Sequence, residues 1–336
     1  MIRERFIAID NVCAWPNLTL LPDGTIVAII FNKPSHLLVE GDLECWASDD
    51  GGCKWERRGT AVLHESGTAR GNCAVGLAHN GDLVVLASGW SDRPAFQHFG
   101  GARRLPPWVC RSSDGGFTWV CNKSRGAVIL PPGSDYEDRG GLMVKPFGDI
   151  VKTSGRGLAA SFYHDRGTCW VIRSFDDGQT WKESSILSAR CRGETAILRL
   201  RADRWLAVAR TEEGIDGILP EVGMELLVSS DEGWTWLDMG SLTEPSQHPG
   251  HLLSLSTGKI LMTYGMRDIR AIGTRISIDE GRTWSRPEIL LHLETAEADL
   301  GYPASVELAD GTLVTAYYTS NIAQHSRYHM GVIRWS

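Results

Sequence analysis

The sequence lacks both an excess of basic residues and any long apolar run. Its 336 residues include 34 Lys and Arg against 41 Asp and Glu, which gives a formal net charge of −7. Nucleic-acid binding depends largely on Lys and Arg that neutralise phosphates, so this balance argues against a nucleic-acid partner. No apolar stretch approaches the roughly 18 residues of a membrane-spanning helix, and we therefore expect no membrane partner.

Signals for secretion and for metal binding are missing as well. The first ten residues, MIRERFIAID, contain neither an apolar core nor a small-residue cleavage site, so we expect a cytoplasmic protein. The eight cysteines form no CxxC pair and no Cys/His pair at metal-ligand spacing. We expect mostly reduced thiols and neither a metal nor another cofactor.

The chain is rich in tryptophan and glycine, with 13 and 37 residues, and both recur in one short pattern. The pattern S-x-D-x-G-x-T-W occurs at residues 112–119, 174–181, 229–236 and 277–284, and residues 48–55 differ only by Lys54 at the threonine position. In a tight hairpin the Asp side chain accepts bonds from backbone N–H groups, Gly supplies a positive φ, and Trp packs between sheets. We therefore predict five similar hairpin turns.

Pairs of apolar strands, each joined by a short polar turn, accompany these copies. There are six such pairs, beginning at Pro16, Asn72, Gly140, Glu194, His251 and Tyr302. The sixth runs into HMGVIRWS without a copy of the pattern, whereas RFIAID at the N-terminus is a strand without a unit. We predict that this N-terminal strand completes the last unit and closes a ring, which removes exposed sheet edges.

The eight-residue pattern is the Asp box, and through it the chain resembles the sialidase (neuraminidase) superfamily over nearly its whole length. The resemblance implies an all-β fold, namely a six-bladed β-propeller with Asp boxes, in a single domain over residues 1–336. Asp boxes also occur in unrelated propellers, so they indicate architecture and not chemistry.

The antiparallel order of each unit places the Asp boxes on one face and a candidate site on the other. Counting back nine positions from each turn glycine gives the residues expected at the mouth of the channel: Trp15, Asn72, Arg139, Pro249 and Tyr302, with Thr195 or Glu194 in the fourth unit. Counting forward to the end of each second strand gives Asn32, Gly89, Arg156, Arg210, Met266 beside Arg267, and Thr319. Loops at residues 91–106, 155–168 and 212–223 are expected to set specificity.

Four residues match the family's chemistry in the right order. Glu194 and Arg210 match the Glu that opens one strand pair and the Arg that closes it, Tyr302 matches the tyrosine nucleophile, and Arg267 or Arg270 matches the third arginine. The resemblance implies an exo-acting glycoside hydrolase that removes a terminal acidic sugar, sialic acid or a related one. Glu194 would accept the Tyr302 proton, and guanidiniums would clamp the substrate carboxylate. A neutral phenol avoids like-charge repulsion with that carboxylate.

Some positions depart from the family's pattern. Ala14-Trp15-Pro16 stands where the family has Arg-Ile-Pro, so the first arginine of its triad is absent, and Tyr317 or Tyr318 stands where the family has the supporting glutamate. Substrate contacts are also predicted for Trp15, Asn72, Arg139 and His251. In the loop that carries the family's acid/base aspartate, the candidates are His36, Glu40 and Asp42.

Two other functions fit the same residues. A polysaccharide lyase acting on uronic acids would use Tyr302 or a histidine, His251 or His36, to remove the proton beside the carboxylate, which an arginine would neutralise. A glycan-binding propeller without catalysis is favoured by the missing first arginine. All three functions predict an anionic carbohydrate partner.

Overall fold

The computed structural model describes residues 1–12, 15–91, 103–131, 144–164, 167–189, 193–211 and 223–336. These residues form β-strands and no helix, which confirms the expected all-β class. Consistent with this, the described ranges hold no helix long and apolar enough to cross a membrane.

Three sheets contain four consecutive strands in simple antiparallel order. The first consists of β2 (Asn17–Leu20), β3 (Ile26–Phe31), β4 (Leu43–Ser48) and β5 (Glu56–Val62). The second consists of β14 (Thr195–Arg201), β15 (Arg204–Arg210), β16 (Met224–Ser229) and β17 (Leu237–Ser241). The third consists of β18 (Gln247–Ser254), β19 (Ile260–Met266), β20 (Ala271–Ser277) and β21 (Glu288–His292).

An eight-stranded sheet holds the second and third units of the repeat. One half is β6 (Thr68–Leu77), β7 (Leu83–Ser91), β8 (Arg103–Ser112) and β9 (Val120–Asn122). The other half is β10 (Lys145–Lys152), β11 (Leu158–His164), β12 (Thr168–Ser174) and β13 (Glu183–Ser188). The halves are joined by β10 and β6, which run parallel and pair only at Gly148 with Ala74 and at Asp149 with Val75.

The last sheet combines both ends of the chain. It contains β22 (Gly301–Glu307), β23 (Leu313–Thr319) and β24 (His329–Trp335), and its fourth strand is β1 (Ile2–Asp10). Strand β1 pairs antiparallel with β24, from Ile2 opposite Trp335 to Asp10 opposite His329. The predicted pairing of the N-terminal strand with the last strand is thereby confirmed.

The first strands of the six units contact one another in sequence order and give a propeller-like arrangement. Strand β2 contacts β6, followed by β10, β14, β18 and β22, and β22 contacts β2. Apolar side chains fill the space between neighbouring sheets, with Trp181 and Trp205 fully buried. All six residues of β3 are buried, as its continuous apolar run predicts for a strand covered on both faces.

The Asp boxes form the predicted hairpin turns. In the box at residues 112–119, the Ser112 hydroxyl donates to Asp114 at 2.8 Å and accepts from the Gly116 N–H at 2.9 Å, and the Thr118 hydroxyl donates to Asp114 at 2.6 Å. The box glycines at positions 52, 116, 178, 233 and 281 all have positive φ, which is the conformation that the turn requires.

The strand pair predicted from Gly140 is wrong in its turn. Phe147, Gly148 and Asp149 do not end a strand, since they lie within β10, where the pairing with β11 shifts register and Gly148 has φ of 72°. The turn comes later, at residues 153–157, so residues 158–164 of the predicted loop form β11. Arg156 therefore lies in this turn, on the Asp-box side, where it pairs with Asp177.

The expectation of mostly reduced cysteines needs a partial correction. Cys110 on β8 and Cys121 on β9 stand opposite each other in an antiparallel pair and form a disulfide. Cys169 is also disulfide-bonded. Cys45, Cys53 and Cys73 are free thiols.

Candidate active site

A cavity of about 860 Å³ lies where the first strands of all six units meet. Each of these strands contributes lining residues, among them Asn17, Asn72, Lys145, Ala196, His251 and Ala304. Trp15, His36, Glu194 and Tyr302 line the same cavity.

Tyr302 and Glu194 form the closest polar contact of the cavity wall. The Tyr302 hydroxyl donates to Glu194 Oε1 at 2.5 Å, although the two residues lie 108 positions apart. Glu194 Oε2 accepts from Arg210 Nη1 at 2.9 Å, and Tyr163 donates to Oε1 at 3.3 Å. The structure thus brings together three of the predicted residues, from β15, β22 and the entry to β14.

The surroundings assign the proton of this pair to the tyrosine. Burial raises the pKa of the Tyr302 phenol, and the Glu194 charge raises it further. Burial alone would raise the pKa of Glu194, but Arg210, the Tyr302 hydroxyl and Lys145 together lower it below its usual range. At neutral pH a carboxylate therefore faces a neutral phenol, which is the state in which Glu194 can accept the proton.

Arg210 also lines a second cleft, of about 1020 Å³, together with His248, Arg267, Arg270 and Asp299. The Arg267 guanidinium lies 5.6 Å from the centre of the Tyr302 ring, and its buried Nε has no hydrogen-bond partner among the described residues. Burial, Arg210 and Arg267 lower the pKa of His248 to about 3, so this ring is neutral. Three arginines and two aspartates, Asp268 and Asp299, thus line this cleft.

Of the two candidates for a third arginine, Arg267 is the better placed. The Arg270 guanidinium is bonded to backbone carbonyls, at 3.1 Å to Arg267 and 2.8 Å to Asp268. These bonds fix Arg270 to its own loop, whereas Arg267 reaches the nucleophile candidate.

Tyr302 and Trp15 occupy unusual backbone conformations. Their φ values are 46° and 37°, in the left-handed region that bulky residues rarely adopt, and each precedes a proline. The centre of the Tyr302 ring lies 6.3 Å from that of Trp15, 6.1 Å from that of Phe147 and 5.6 Å from that of Tyr318. Backbone strain of this kind persists only where the surrounding packing enforces it. Here the packed rings of Trp15, Phe147, Tyr302 and Tyr318 supply that packing.

His36 is the acid/base candidate that the structure places at the cavity. Its ring packs edge-on against Trp15 at 4.8 Å, and its Nδ1 lies 3.4 Å from Asp299 Oδ2. Asp299 also accepts from the hydroxyls of Tyr318 and Tyr328. Burial opposes ionisation of Asp299, but these bonds hold its pKa well below the usual range. Asp299 was not identified from the sequence.

Glu40 and Asp42, the other acid/base candidates, do not line the cavity. Asp42 Oδ1 lies 2.6 Å from His64 Nδ1 and accepts from the His64 backbone N–H at 2.8 Å. Glu40 lies 3.4 Å from His64 Nε2 and accepts from the Gly67 N–H. Both carboxylates are engaged in holding residues 64–67, which removes them from the reacting groups.

Three further substrate-binding predictions have different outcomes. Asn72 lines the cavity, with Oδ1 accepting from Trp90 Nε1 at 3.0 Å. His251 lines it too, but its Nε2 lies 3.2 Å from Asp149 Oδ2, within the protein. Arg139 lies outside the described residues. The incorrect turn had placed Arg139 at the start of the first strand of the third unit, and in the structure that strand, β10, starts at Lys145.

Lys145 and Tyr163 are cavity residues that the sequence reasoning missed. The side chain of Lys145 is buried, and its Nζ lies 4.4 Å from the centre of the Tyr163 ring. One signal would have found Lys145. In four units, the residue before a proline lies within two positions of the start of the first strand: Trp15, Lys145, His248 and Tyr302. The position of this proline, and not the Phe-Gly-Asp sequence, correctly locates the start of the first strand of the third unit.

Solved structures resemble the whole chain. A protein of unknown function from Dyadobacter fermentans matches with a TM-score of 0.77 at 20% identity, over 99% of this chain and 98% of its own. The NanB sialidase from Streptococcus pneumoniae matches with a TM-score of 0.72 at 14% identity, over 100% and 70%. Trypanosoma rangeli sialidase, in its covalent intermediate with 2,3-difluorosialic acid, matches with a TM-score of 0.64 at 16% identity, over 99% and 55%.

No curated protein matches the sequence. The model of the BNR repeat-like domain matches residues 24–315, which is most of the chain. The likeness to the sialidase structures, at these identities, shows the shared fold. The chain therefore belongs to the BNR repeat-like family.

Proposed function

We propose that this protein is an exo-acting glycoside hydrolase that removes a terminal acidic sugar from a glycan. The observation that carries the proposal is the 2.5 Å contact between Tyr302 Oη and the charged Glu194 beside Arg210. A nucleophile and a base within hydrogen-bond reach, with the base held by a third group, form the arrangement of covalent catalysis. The covalent intermediate of the Trypanosoma rangeli sialidase with 2,3-difluorosialic acid supports the same two-step chemistry.

In the first step Tyr302 Oη bonds to the anomeric carbon while its proton passes to Glu194 Oε1. The bond from that carbon to the leaving oxygen breaks, and the leaving oxygen takes a proton from His36. In the second step water, deprotonated by His36, attacks the anomeric carbon. The tyrosyl bond breaks, and Tyr302 recovers its proton from Glu194. Two displacements at one carbon retain its configuration.

His36 is proposed as the acid/base because it lines the cavity and Glu40 and Asp42 do not. Asp299 lies against its Nδ1 at 3.4 Å and is itself bonded to Tyr328 at 2.6 Å. A carboxylate in this position orients the ring, so Asp299 is proposed as a positioning residue for His36.

The anionic group of the sugar is proposed to lie in the cleft between Arg210 and Arg267. Arg267 carries a buried Nε without a partner, so a carboxylate there would satisfy a donor that the described protein leaves unpaired. Trp15, which comes directly after the position of the family's first arginine, offers an aromatic face to the cavity. The clamp would thus hold the carboxylate with two arginines and the sugar ring with an indole.

The architecture proposed for this site is one domain with six four-stranded blades. The eight-stranded sheet would count as two blades, since its halves share only the short parallel pairing of β6 and β10. The pairing of β1 with β24 would close the ring. In such a ring the 860 Å³ cavity is the mouth of the central channel.

The test is hydrolysis of fluorogenic sialosides and uronides by the wild type and two variants. Tyr302→Phe and Glu194→Gln are each expected to lower kcat at least about 100-fold, because each removes a reacting group. Tyr317→Phe is the matched control and is expected to keep the wild-type rate. The Tyr317 phenol is buried against Gly331 and does not line the cavity.

Hydrolysis at the wild-type rate by Tyr302→Phe would exclude the nucleophile assignment. If uronate polymers yield an unsaturated product and no glycoside is hydrolysed, the protein is a lyase. If neither reaction occurs while acidic glycans bind, it is a binding protein without catalysis.

A further inference from the structure

Two asparagines on contacting first strands line the cavity with their amides fixed in opposite senses. Asn17 lies on β2 and Asn72 on β6. A side-chain amide offers both an acceptor oxygen and donor hydrogens, and its bonds to the protein decide which of them is left for a ligand. In both residues the partner within the protein can play only one role, so that partner fixes the orientation of the amide.

Asn72 presents a donor to the cavity. Its Oδ1 accepts from Trp90 Nε1 at 3.0 Å, and because an indole N–H only donates, the amide oxygen and nitrogen cannot exchange places. The NH₂ group of Asn72 makes no hydrogen bond within the described residues. This group is therefore left for an acceptor atom of a bound molecule.

Asn17 presents an acceptor, because its partner is a carbonyl. Its Nδ2 donates to the Gly148 carbonyl of β10 at 2.8 Å, past β6 in the order of the first strands. The residue is 6% exposed, and its buried Oδ1 has no hydrogen-bond partner among the described residues. His251 on β18 repeats this pattern, since its Nε2 lies 3.2 Å from Asp149 Oδ2 and its buried Nδ1 is unpaired within the part of the chain that the structure describes.

Unpaired polar atoms of this kind are rare in protein interiors, because a buried polar atom without a partner destabilises the fold. Here they belong to residues that line a cavity, where a bound molecule can supply the missing partner. One fixed donor and one fixed acceptor, both uncharged, match the hydroxyl groups of a sugar, since a hydroxyl both accepts and donates.

We infer that Asn72 and Asn17 form a subsite that recognises free hydroxyl groups of the bound sugar. Asn72 Nδ2 donates to one sugar oxygen, and Asn17 Oδ1 accepts from another sugar hydroxyl. The inference rests on the proposed function, because it assumes that the ligand of the cavity is an acidic sugar whose carboxylate meets Arg210 and Arg267. It restricts the substrate to acidic sugars whose hydroxyl at Asn17 is unsubstituted, since an ester or ether oxygen cannot donate.

Binding in the absence of turnover tests this subsite. In a Tyr302→Phe background, calorimetry uses methyl glucuronide or the methyl glycoside of sialic acid, whichever binds tighter, as the parent ligand. Its hydroxyls are replaced one at a time by hydrogen, which removes the hydrogen bond, or by fluorine, which only accepts. We expect two hydroxyls at which hydrogen weakens binding about tenfold, the effect of one lost hydrogen bond. Fluorine should bind tighter than hydrogen at the hydroxyl that meets Asn72, and weaker than hydrogen at the hydroxyl that meets Asn17.

Asn72→Asp tests the donor and keeps its bond to the protein. The variant retains an acceptor for Trp90 Nε1 but places a carboxylate oxygen where the amide nitrogen was. It should therefore reverse the order at that position, so that the fluorinated ligand binds weaker than the deoxygenated one. Asn122→Asp makes the same change at an exposed residue of β9 and is the control, which leaves the order unchanged.

Asn17→Leu removes the acceptor and should abolish the difference between fluorine and hydrogen at the second hydroxyl. The variant also loses the bond to the Gly148 carbonyl. If Asn17→Leu fails to fold, the weaker binding of the fluorinated ligand to the unmodified subsite still tests the acceptor.

Three results would overturn the inference. They are equal binding of the parent and every deoxygenated ligand, an order that Asn72→Asp does not reverse, and no position at which fluorine binds weaker than hydrogen. Hydrolysis plays no part in these measurements. A protein that cleaves no glycoside but shows both orders keeps the subsite and loses the proposed reaction, whereas one that cleaves glycosides and shows neither order keeps the reaction and loses the subsite. Binding of neither parent ligand would overturn both.

Discussion

Glu194 is a buried carboxylate that stays charged because three neighbours favour the charged form. Arg210, the Tyr302 hydroxyl and Lys145 outweigh the cost of burial, and the pKa of Glu194 is lowered. The same burial raises the pKa of Tyr302. The nucleophile is therefore not ionised in advance, and its proton leaves only as the new bond forms.

This arrangement links stability to pH. A carboxylate whose pKa is lower in the folded state than the ordinary value of 4.5 stabilises the fold at every pH above that value. The contribution is lost as the pH falls through the range below 4.5. We expect the difference in unfolding free energy between wild type and Glu194→Gln to be largest above pH ~5 and to shrink toward pH ~3.

Denaturant unfolding over that pH range measures the difference. Glu288→Gln, which replaces an exposed carboxylate on β21, is the control variant. If the difference in unfolding free energy between wild type and Glu194→Gln did not change with pH, this would contradict the charged state assigned to Glu194.

The neutral state of His248 gives a second prediction at this scale. Its pKa of about 3 results first from burial and then from Arg210 and Arg267. NMR of the imidazole nitrogens should show no protonation of His248 between pH ~8 and ~5, whereas a free histidine protonates near 6.5. Arg267→Met should raise this pKa, and an unchanged value would place the guanidinium farther from the ring than the structure does.

Single residues of the site were predictable only where a motif carried them. Glu194, Arg210 and Tyr302 follow from matched segments, and they meet in the structure. Asp299 and Tyr163 lie in no motif, since their importance comes from contacts with His36 and Glu194 on other units. Contacts of this kind, between residues of different units, cannot be inferred from the spacing of residues along the sequence.

At the scale of the element, the Asp-box hairpin is stabilised by hydrogen bonds among its own eight residues. Its serine accepts from the box glycine, its aspartate accepts from the threonine, and in the box at 112–119 Trp119 Nε1 donates to the Gly116 carbonyl at 2.9 Å. All partners are local, which explains why the turns could be predicted from the sequence alone.

Two adjacent serines allow a matched test of this turn. Ser112 is buried and bonded to Gly116 and Asp114, whereas Ser113 is exposed and makes no hydrogen bond among the described residues. We expect Ser112→Ala to lower the unfolding free energy by about 1–3 kcal/mol, since it leaves the buried Gly116 N–H without a partner. Ser113→Ala should have no measurable effect. Equal effects in denaturant unfolding would show that the hydroxyl does not stabilise the turn.

The third unit shows where local reasoning fails. Phe-Gly-Asp at residues 147–149 has the composition of a turn, but the strand continues through it with a register shift. Gly148 adopts its positive φ at this irregularity, beside the parallel pairing with β6. A glycine in a strand accommodates either a turn or a bulge, and only the partner strand distinguishes the two.

At the scale of the whole molecule, strand β1 protects an edge. It pairs along the length of β24, whose residues are almost all buried, and it contributes the buried Ile9. Without β1 the sheet would end in the unpaired N–H and C=O groups of β24. Such edges pair readily with other chains.

Removal of residues 1–10 is therefore expected to lower the thermal midpoint and to cause association in solution. A synthetic peptide of residues 1–10, added in trans, should pair with β24 and restore the solution behaviour of the untruncated chain, whereas a scrambled peptide should not. Light scattering and thermal unfolding measure both effects. A truncated chain that keeps its midpoint and does not associate would show that β1 is dispensable.

The two faces of the molecule can be used independently. Strand direction puts the box turns at one end of the sheets that contain them, and Tyr302 and Glu194 at the opposite end. A dye or a tether attached at the exposed Phe117, in a box turn, would leave the cavity mouth open to solvent. Immobilised on a sensor surface by that side, the protein would present its entire ligand-facing side to a flowing glycan solution.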